Sequence, residues 1–236
     1  MGVPNQKTMG FAQGIYEQSL TKKEELGCIR SLADGRKFQY CRAGAVALAK
    51  GIPTISTDPV ANHINRSVYA AAALGDTVVT VIIGATACLE NQYAGGYLNV
   101  NDGTGQGDQY RIVSNTPHAG TGNVDVILEE PIRTALVTAG TSEVSLIPNQ
   151  FTGIIVSATT KRFAGVPPIV VTALYYFWNQ IGGMCCALVT NAVAIGTEVA
   201  VGTGIFSIAT NYTTEVCGVV VGTGVTDEHK PVMLKF

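Results

Sequence analysis

Short apolar segments rich in β-branched residues recur from residue 76 to the end of the chain, bounded by Gly, Asn and Thr. Their spacing of roughly ten residues is typical of a β-sandwich or barrel. The pattern therefore predicts an all-β fold of two small sandwich or barrel units, while the alanine run in 60–75 favours a helix. The predicted strands are 77–84, 97–101, 109–114, 124–130, 143–148, 153–158, 169–190, 197–201, 204–210, 215–222 and 231–236.

The remaining segments set the predicted domain organisation. Residues 1–25 show no sustained period and contain Gly, Pro, Asn and Gln, so we expect an extended N-terminal arm. If ordered, this arm must lie on its own body or on a neighbour. A β-rich domain with a hairpin and a sandwich is predicted for 26–166, and a small C-terminal β-barrel for 167–236. The two prolines at 167–168 are the expected linker.

A hairpin is predicted in the segment "CIRSLADGRKFQYC", which has Asp34-Gly35 at its centre. Asp-Gly is a preferred pair for a two-residue type I′ turn, in which both central residues have positive φ. With that turn, Ile29 lies opposite Tyr40, and Ile29, Tyr40 and Phe38 share one face of the ribbon. That face is the candidate buried face.

The same register places Cys28 directly opposite Cys41. A cross-strand disulfide is one interpretation, and two reduced, small apolar side chains are the other. We favour the reduced pair because a cytosol keeps thiols reduced. No two of the six cysteines form a C-x-x-C pair, so we expect free, mostly buried thiols and no zinc site.

The glycine-rich stretch "YLNVNDGTGQGDQYRIVSN" raises the question of a phosphate or metal loop. A dinucleotide-binding fingerprint needs a helix after its glycines, but a predicted strand follows Gly103, Gly105 and Gly107. The Gly-Lys-Ser/Thr of a P-loop is missing, and the acidic residues do not match an EF-hand. We therefore interpret the stretch as the tip of a hairpin, with weak calcium or glycan binding as the alternative.

The sequence shows no recognisable catalytic motif. The three histidines, His63, His118 and His229, are far apart, and neither H-E-x-x-H nor G-x-S-x-G occurs. Glu129 and Glu130 are adjacent on a predicted strand, so they point to opposite faces and cannot act on one bond. We expect no catalytic residues, no cofactor and no metal, although an enzyme with scattered catalytic residues stays open.

The amino-acid composition indicates that the protein binds other proteins. The chain is 47% hydrophobic and only 14% charged, well below the roughly 25% charged residues of average domains, so partners are expected to cover much of the surface. The net charge of −2 and the scattered basic residues argue against direct nucleic-acid binding. With no apolar leader and no run of about 18 apolar residues, we expect neither export nor a membrane span.

The run "YYFWNQ" contains the only Trp of the chain. On a strand, Tyr175 and Phe177 point to one side and Tyr176 and Trp178 to the other. Both faces of such a strand need cover, which a second subunit would supply. The run is therefore interpreted as a central strand, an anchor at a subunit interface or a carbohydrate platform.

Three stretches, "LADGRKFQYCRAGAVALAKG", "YAGGYLNVNDGTGQGDQYRI" and "YYFWNQIGGMCCALV", resemble virion structural proteins of tailed bacteriophages. The C-terminal "GVVVGTGVTDEHKPVMLKF" is similar to the final strands of small β-barrel capsid decoration proteins. The resemblance implies a protein without catalytic residues on the outer face of an icosahedral shell, made in the host cytoplasm. Its implied partners are the major capsid protein and itself, as a homotrimer. A long amphipathic helix like the spine of a major capsid protein is not evident.

These considerations predict that residues 1–25 and part of the C-terminal barrel contact neighbouring subunits, with strand addition as one mode. Deleting the arm should then release the protein from particles while the rest still folds. A tail or head-fibre component is one alternative, and a carbohydrate-binding module using Tyr176 and Trp178 is another. The predicted interface residues are Phe11, Ile15, Tyr16, Tyr176 and Trp178.

Overall fold

The computed structural model describes residues 10–138, 141–158, 162–209 and 215–235. Strands contain 45% of the residues and helix 1%, so the predicted all-β class is confirmed. The strands are β1 (Gln18–Ser19), β2 (Ile29–Ser31), β3 (Lys37–Arg42), β4 (Thr54–Ile55), β5 (Arg66–Ser67), β6 (Val78–Ile83), β7 (Tyr97–Gly103), β8 (Gln109–Asn115), β9 (Gly122–Leu128), β10 (Ser142–Ile147), β11 (Ile155–Val156), β12 (Phe163–Gly165), β13 (Tyr176–Val189), β14 (Glu198–Val201), β15 (Phe206–Ile208), β16 (Val216–Val220) and β17 (Glu228–Lys235), and a 3-10 turn covers Ala61–His63.

The chain forms two compact units, and their limits differ from the predicted ones. Unit 1 combines residues 1–57 with 151–236, and unit 2 is the segment 58–150 inserted between them. The two prolines at 167–168 therefore lie within unit 1 and do not link two domains. The carbonyl of Pro167 accepts a hydrogen bond from the amide of Gly51 (2.9 Å), which ties this step to the body of the unit.

Unit 1 contains a closed barrel of five strands. Its strands follow the order β15-β14-β16-β17-β13, and parallel pairing of β15 with β13 closes the ring. On the far side of β13 the sheet continues through β3 to β2, and β1 also pairs with β13. The ammonium of Lys230, a buried residue on β17, donates hydrogen bonds to the carbonyls of Val189 (3.0 Å) and Val225 (2.7 Å). The barrel core includes Ala187, Val189, Val199, Phe206, Cys217, Val220, Val232 and Leu234.

Unit 2 is a six-stranded sheet, β5-β10-β7-β8-β9-β6, that nearly closes on itself. A single bridge between Val68 and Val81 brings the two ends of the sheet together. Alternation explains the core, because every second residue of β6 (Val79, Val81 and Ile83) is fully buried. Both units therefore match the predicted sandwich or barrel type.

The helix favoured by the alanine run does not form. Within 60–75 the chain makes the short 3-10 turn at Ala61–His63 and then strand β5. Ala72 forms an antiparallel bridge with Leu136, and both side chains are buried in the core of unit 2. Helix propensity is a weak preference, and cross-chain pairing with a buried partner outweighs it here.

The predicted hairpin forms, but its turn has three residues and not two. The amide of Gly35 donates to the carbonyl of Leu32 (3.1 Å), and the amide of Leu32 donates to the carbonyl of Arg36 (2.9 Å). Gly35 has φ +85°, whereas Asp34 has no positive φ, so the type I′ turn is wrong. A three-residue loop that ends on a left-handed glycine is the next commonest hairpin connection.

The extra loop residue shifts the register of the hairpin by one. Ile29 therefore lies opposite Gln39, and 54% of its surface is exposed while Phe38 and Tyr40 are buried. A one-residue slip moves a side chain to the other face of a sheet, which accounts for the error. Cys28 consequently does not face the buried Cys41, and both thiols are free.

Candidate interaction surfaces and cleft

The N-terminal arm covers the aromatic strand of its own chain. The ring of Phe11 meets the Trp178 indole edge-on, with 5.2 Å between ring centroids. The indole Nε1 donates a hydrogen bond to the carbonyl of Gln13 (3.0 Å), and Trp178 is fully buried. On the opposite face of β13, Phe177 is equally buried among apolar residues of unit 1. The sequence led us to expect that another subunit covers one face of this strand. The N-terminal arm of the same chain covers that face instead.

Gln13 is a structural residue of this arm whose role the sequence did not reveal. Its side chain is buried, accepting a hydrogen bond from the Tyr40 hydroxyl (2.7 Å) and donating one to the carbonyl of Tyr176 (3.1 Å). Burial is the main reason that the pKa of Tyr40 is raised. A glutamine in a segment without periodicity gives no sequence signal of such a role.

The other predicted interface residues differ in how much surface they offer. Phe11 is 37% exposed and Tyr16 is 59% exposed, whereas Ile15 and Tyr176 are half-buried. Ile15 and Tyr176 pack against the cluster around Trp178, so four of the five residues come together. Tyr16 lies apart, and its hydroxyl accepts a hydrogen bond from the guanidinium of Arg36 (3.0 Å).

A cleft of about 700 Å³ opens on the outside of unit 1. This volume falls within the range of typical ligand sites. Strand β13 provides one wall, and the hairpin turn, the segment after β3 and strand β17 provide the others. The lining residues are Tyr16, Arg36, Lys50, Gly51, Pro167, Pro168, Gln180, Met184, Cys185, Cys186, His229 and Pro231.

Basic groups set the electrostatics of this cleft, and none of the described residues that line it is acidic. Arg36 already pairs with Asp34 just outside the lining (2.7 Å). Hydrogen bonds from the backbone amide and then the side chain of Arg36 lower the pKa of Asp34. Hydrogen bonding to Tyr16 is the main cause that raises the pKa of Arg36. Lys50 is exposed, so positive charge is available at that end, and the His229 ring lies beside Gly51.

The two adjacent cysteines of β13 have opposite environments. Cys185 faces the barrel core, and burial raises the pKa of its thiol to about 12. Cys186 is exposed in the cleft. Burial likewise raises the pKa of the Cys217 thiol to about 12. Burial keeps the Cys185 and Cys217 thiols protonated and away from solvent, and the thiolate is the reactive form. The exposed Cys186 is therefore the thiol of this region that a reagent can reach.

The glycine-rich stretch is the tip of the β7–β8 hairpin, as predicted. Gly103, Gly105 and Gly107 all have positive φ. The carboxylate of Asp108 accepts a hydrogen bond from the Tyr110 hydroxyl (2.8 Å), which is the main cause of its lowered pKa. The described residues contain no group of three His, Cys, Asp or Glu side chains placed to hold a metal ion.

Unit 2 also contains a buried polar pair. The Nδ1 of His63 lies 2.5 Å from the Tyr93 hydroxyl, and its Nε2 lies 2.9 Å from the carbonyl of Thr86. Since a carbonyl only accepts, Nε2 carries the proton and Nδ1 accepts from Tyr93. Burial raises the pKa of Tyr93. With both ring nitrogens satisfied and the ring buried, His63 is a structural residue.

Comparison with known proteins leaves the chain without an assigned family. No protein-family model, no curated protein and no solved structure matches it. Within the described ranges, no helix has the length and apolar character that crossing a membrane requires.

Proposed function

We propose that the chain is a structural protein of a tailed-bacteriophage virion, of the capsid decoration type, and not an enzyme. The observation that carries this proposal is an apolar row on the outer surface of the barrel. Val219, Met233 and Met184 are register partners on β16, β17 and β13. Met184 is 45% exposed and Met233 is 40% exposed. Adjacent exposed apolar side chains on a weakly charged protein favour a protein-binding role.

The row suits a partner that presents a flat apolar surface. Methionine is flexible and polarizable, so it adapts to such surfaces. A stable complex buries on the order of 1,600 Å², and the row would form the centre of that area. The resemblance of the sequence to capsid decoration proteins supports the major capsid protein as this partner. In this proposal the protein is made in the host cytoplasm and then binds the outer surface of the head as a homotrimer.

The arm has a different role in this proposal from the one the sequence suggested. Because Phe11 and Gln13 cover Trp178, the arm stabilises its own unit, and only exposed groups such as Tyr16 are free to contact a neighbour. Trp178 also has no exposed surface on which a sugar ring could stack. The buried indole thus gives no support to the carbohydrate-binding alternative.

Co-sedimentation with empty shells made of the major capsid protein of the same phage tests the proposal. We expect saturable binding that Met233→Glu weakens by about tenfold or more, because a charge at the centre of an apolar interface is costly. Val113→Glu is the matched control, since Val113 is an exposed valine on strand β8 of unit 2. The proposal fails if the wild-type chain stays in the supernatant or if both variants bind equally.

A further inference from the structure

We infer that the cleft of unit 1 binds an extended, acidic peptide segment of a partner protein by adding it as a strand to the open edge of β13. The inference rests on the direction of the backbone groups in the cleft and on the charges around them. It does not depend on the virion assignment, because any peptide of suitable chemistry would bind.

The hydrogen bond of the Leu188 amide shows which way the backbone groups at this edge of β13 point. This amide donates to the carbonyl of Gly51 (2.8 Å), which lies outside β17, so it points away from that strand. Backbone groups of alternate residues point to the same side of a strand. The amides of Cys186 and Met184 therefore also point away from β17, toward the cleft.

Two further contacts agree with this direction. Pro231, the register partner of Cys186, has no amide proton, and its carbonyl accepts from Val221 on the other side (2.9 Å). Cys186 and Pro231 therefore form a pair without hydrogen bonds between them. The carbonyl of Met184 accepts from the side-chain amide of Gln180 (2.8 Å), on the side away from β17.

No described strand pairs with this stretch of edge. Pairing between β3 and β13 stops at Lys37 and Gly182, and among the described residues the next backbone-to-backbone hydrogen bond on this edge is that of Leu188. Glycine marks both ends: an added Cβ at Gly183 would meet the backbone of Arg36, and one at Gly51 would meet the carbonyl of Cys186. Three residue steps separate Gly183 from Cys186, or about 10 Å of strand. This length accommodates a short peptide strand.

The side chains that line the cleft determine which peptide sequence would bind best. Lys50 and His229 provide donors at the Gly51 end, Arg36 lies near the other end, and the lining residues that the structure describes include no carboxylate. Met184 flanks the edge with 45% of its surface exposed. The best peptide therefore has an Asp or Glu that pairs with Lys50, flanked by β-branched apolar residues. Its backbone forms hydrogen bonds with that of Cys186.

Selection from a random heptapeptide library against the purified chain tests this inference. The exposed thiol of Cys186 is the reporter, because a strand on this edge would slow its reaction with an aromatic disulfide reagent. We expect selected peptides to be acidic and β-branched and to slow labelling about tenfold at saturation. Methylation of their central backbone nitrogen should weaken binding by roughly tenfold or more, since it removes a ladder hydrogen bond.

Charge reversal separates this site from other surfaces. Lys50→Glu should lower the affinity for the selected peptides by about tenfold. Lys23→Glu, at an exposed lysine outside the cleft lining, should change this affinity less than twofold. The inference is wrong if no selected peptide protects Cys186, if backbone methylation has no effect, or if Lys50→Glu and Lys23→Glu act alike. Protection of Cys186 by self-association alone would assign the edge to a second copy and also overturn it.

Discussion

The indole Nε1 of Trp178 donates a 3.0 Å hydrogen bond to the main-chain carbonyl of Gln13, 165 residues earlier in the chain. This bond joins the N-terminal arm to the central strand of unit 1. With Phe11 against the same indole, the arm completes the aromatic core that the sequence left open on one side. The arm is therefore a structural part of its own unit and not a free tether.

Deleting residues 1–17 should expose Trp178 to water. Because this is the only Trp of the chain, its fluorescence reports on the site directly, and we expect a red-shifted emission maximum. Loss of the Phe11 and Gln13 contacts should reduce the free energy of unfolding by roughly 3 kcal/mol or more. Deleting residues 1–9 is the control, since it keeps both contacts. Unchanged emission in the longer deletion would contradict the role of the arm.

Gln13→Ala should destabilise unit 1 without any deletion. The substitution leaves the buried hydroxyl of Tyr40 without its acceptor, a loss of about 1–3 kcal/mol. Urea titration monitored by Trp178 fluorescence measures the change. Gln106→Ala, at an exposed position of the β7–β8 tip, should have almost no effect. Equal stability of the two variants would mean that the buried amide contributes nothing.

Two glycines of one hairpin tip should differ sharply in their tolerance of alanine. Gly103 and Gly107 both have positive φ, which alone makes alanine cost about 1–2 kcal/mol. At Gly103 an added Cβ would also overlap the carbonyl of Thr141, whereas at Gly107 it would meet open space. Gly103→Ala should therefore lower the melting temperature much more than Gly107→Ala. A similar effect of both would show that the close approach at Gly103 is not a constraint.

The six thiols should react in a fixed order. Cys186 is exposed and should react first, followed by the half-buried Cys28, whose pKa is raised by burial and by Glu24 and Glu25. The remaining four cysteines are buried and should react only on unfolding. A colorimetric thiol titration of the native chain counts the fast groups, and Cys186→Ser should remove the fastest phase. Rapid labelling of several thiols in that variant would contradict the described burial.

The buried thiols should also make the protein sensitive to alkali. Burial raises the pKa of Cys185 and Cys217 to about 12, above their ordinary value of 9.0. The unfolded chain therefore loses these protons first, so stability is complete below pH 9 and declines as pH rises toward 12. At pH 10 each thiol should lower the free energy of unfolding by roughly 1 kcal/mol.

Urea titrations between pH 7 and pH 10.5 measure this decline. The double variant Cys185→Ala and Cys217→Ala should show a shallower decline than the wild type, whatever its stability at pH 7. Parallel curves would mean that other groups account for the effect of alkali.

The sequence was most informative where β-branched residues alternate with polar ones. The predicted strand 77–84 matches β6, and the predicted tip at Gly103–Gly107 joins β7 to β8, because local pattern and turn chemistry determine such elements. The Asp34-Gly35 turn was misjudged because the same dipeptide fits a two-residue or a three-residue loop. The exposure of Ile29, which lies opposite Gln39 and not Tyr40, distinguishes the two and depends on tertiary packing.

Features made by distant segments could not be predicted. Asp58-Pro59 and Pro148-Asn149 lie at the boundaries of the 58–150 insertion, but Pro and Asn also occur in many turns within the units and so do not mark a domain boundary. The cleft brings Lys50, Cys186 and His229 together from three separate elements, and none of these residues stands in a recognisable motif. Periodicity describes one element at a time, so it does not indicate which elements become neighbours.

Electron microscopy of purified phage particles with gold-labelled antibody against this chain tests the central claim most directly. The account predicts label distributed over the outer surface of the head, and loss of that label from particles assembled with the Met233→Glu variant in place of the wild-type chain. Absence of label from particles, or label on the tail alone, would contradict it.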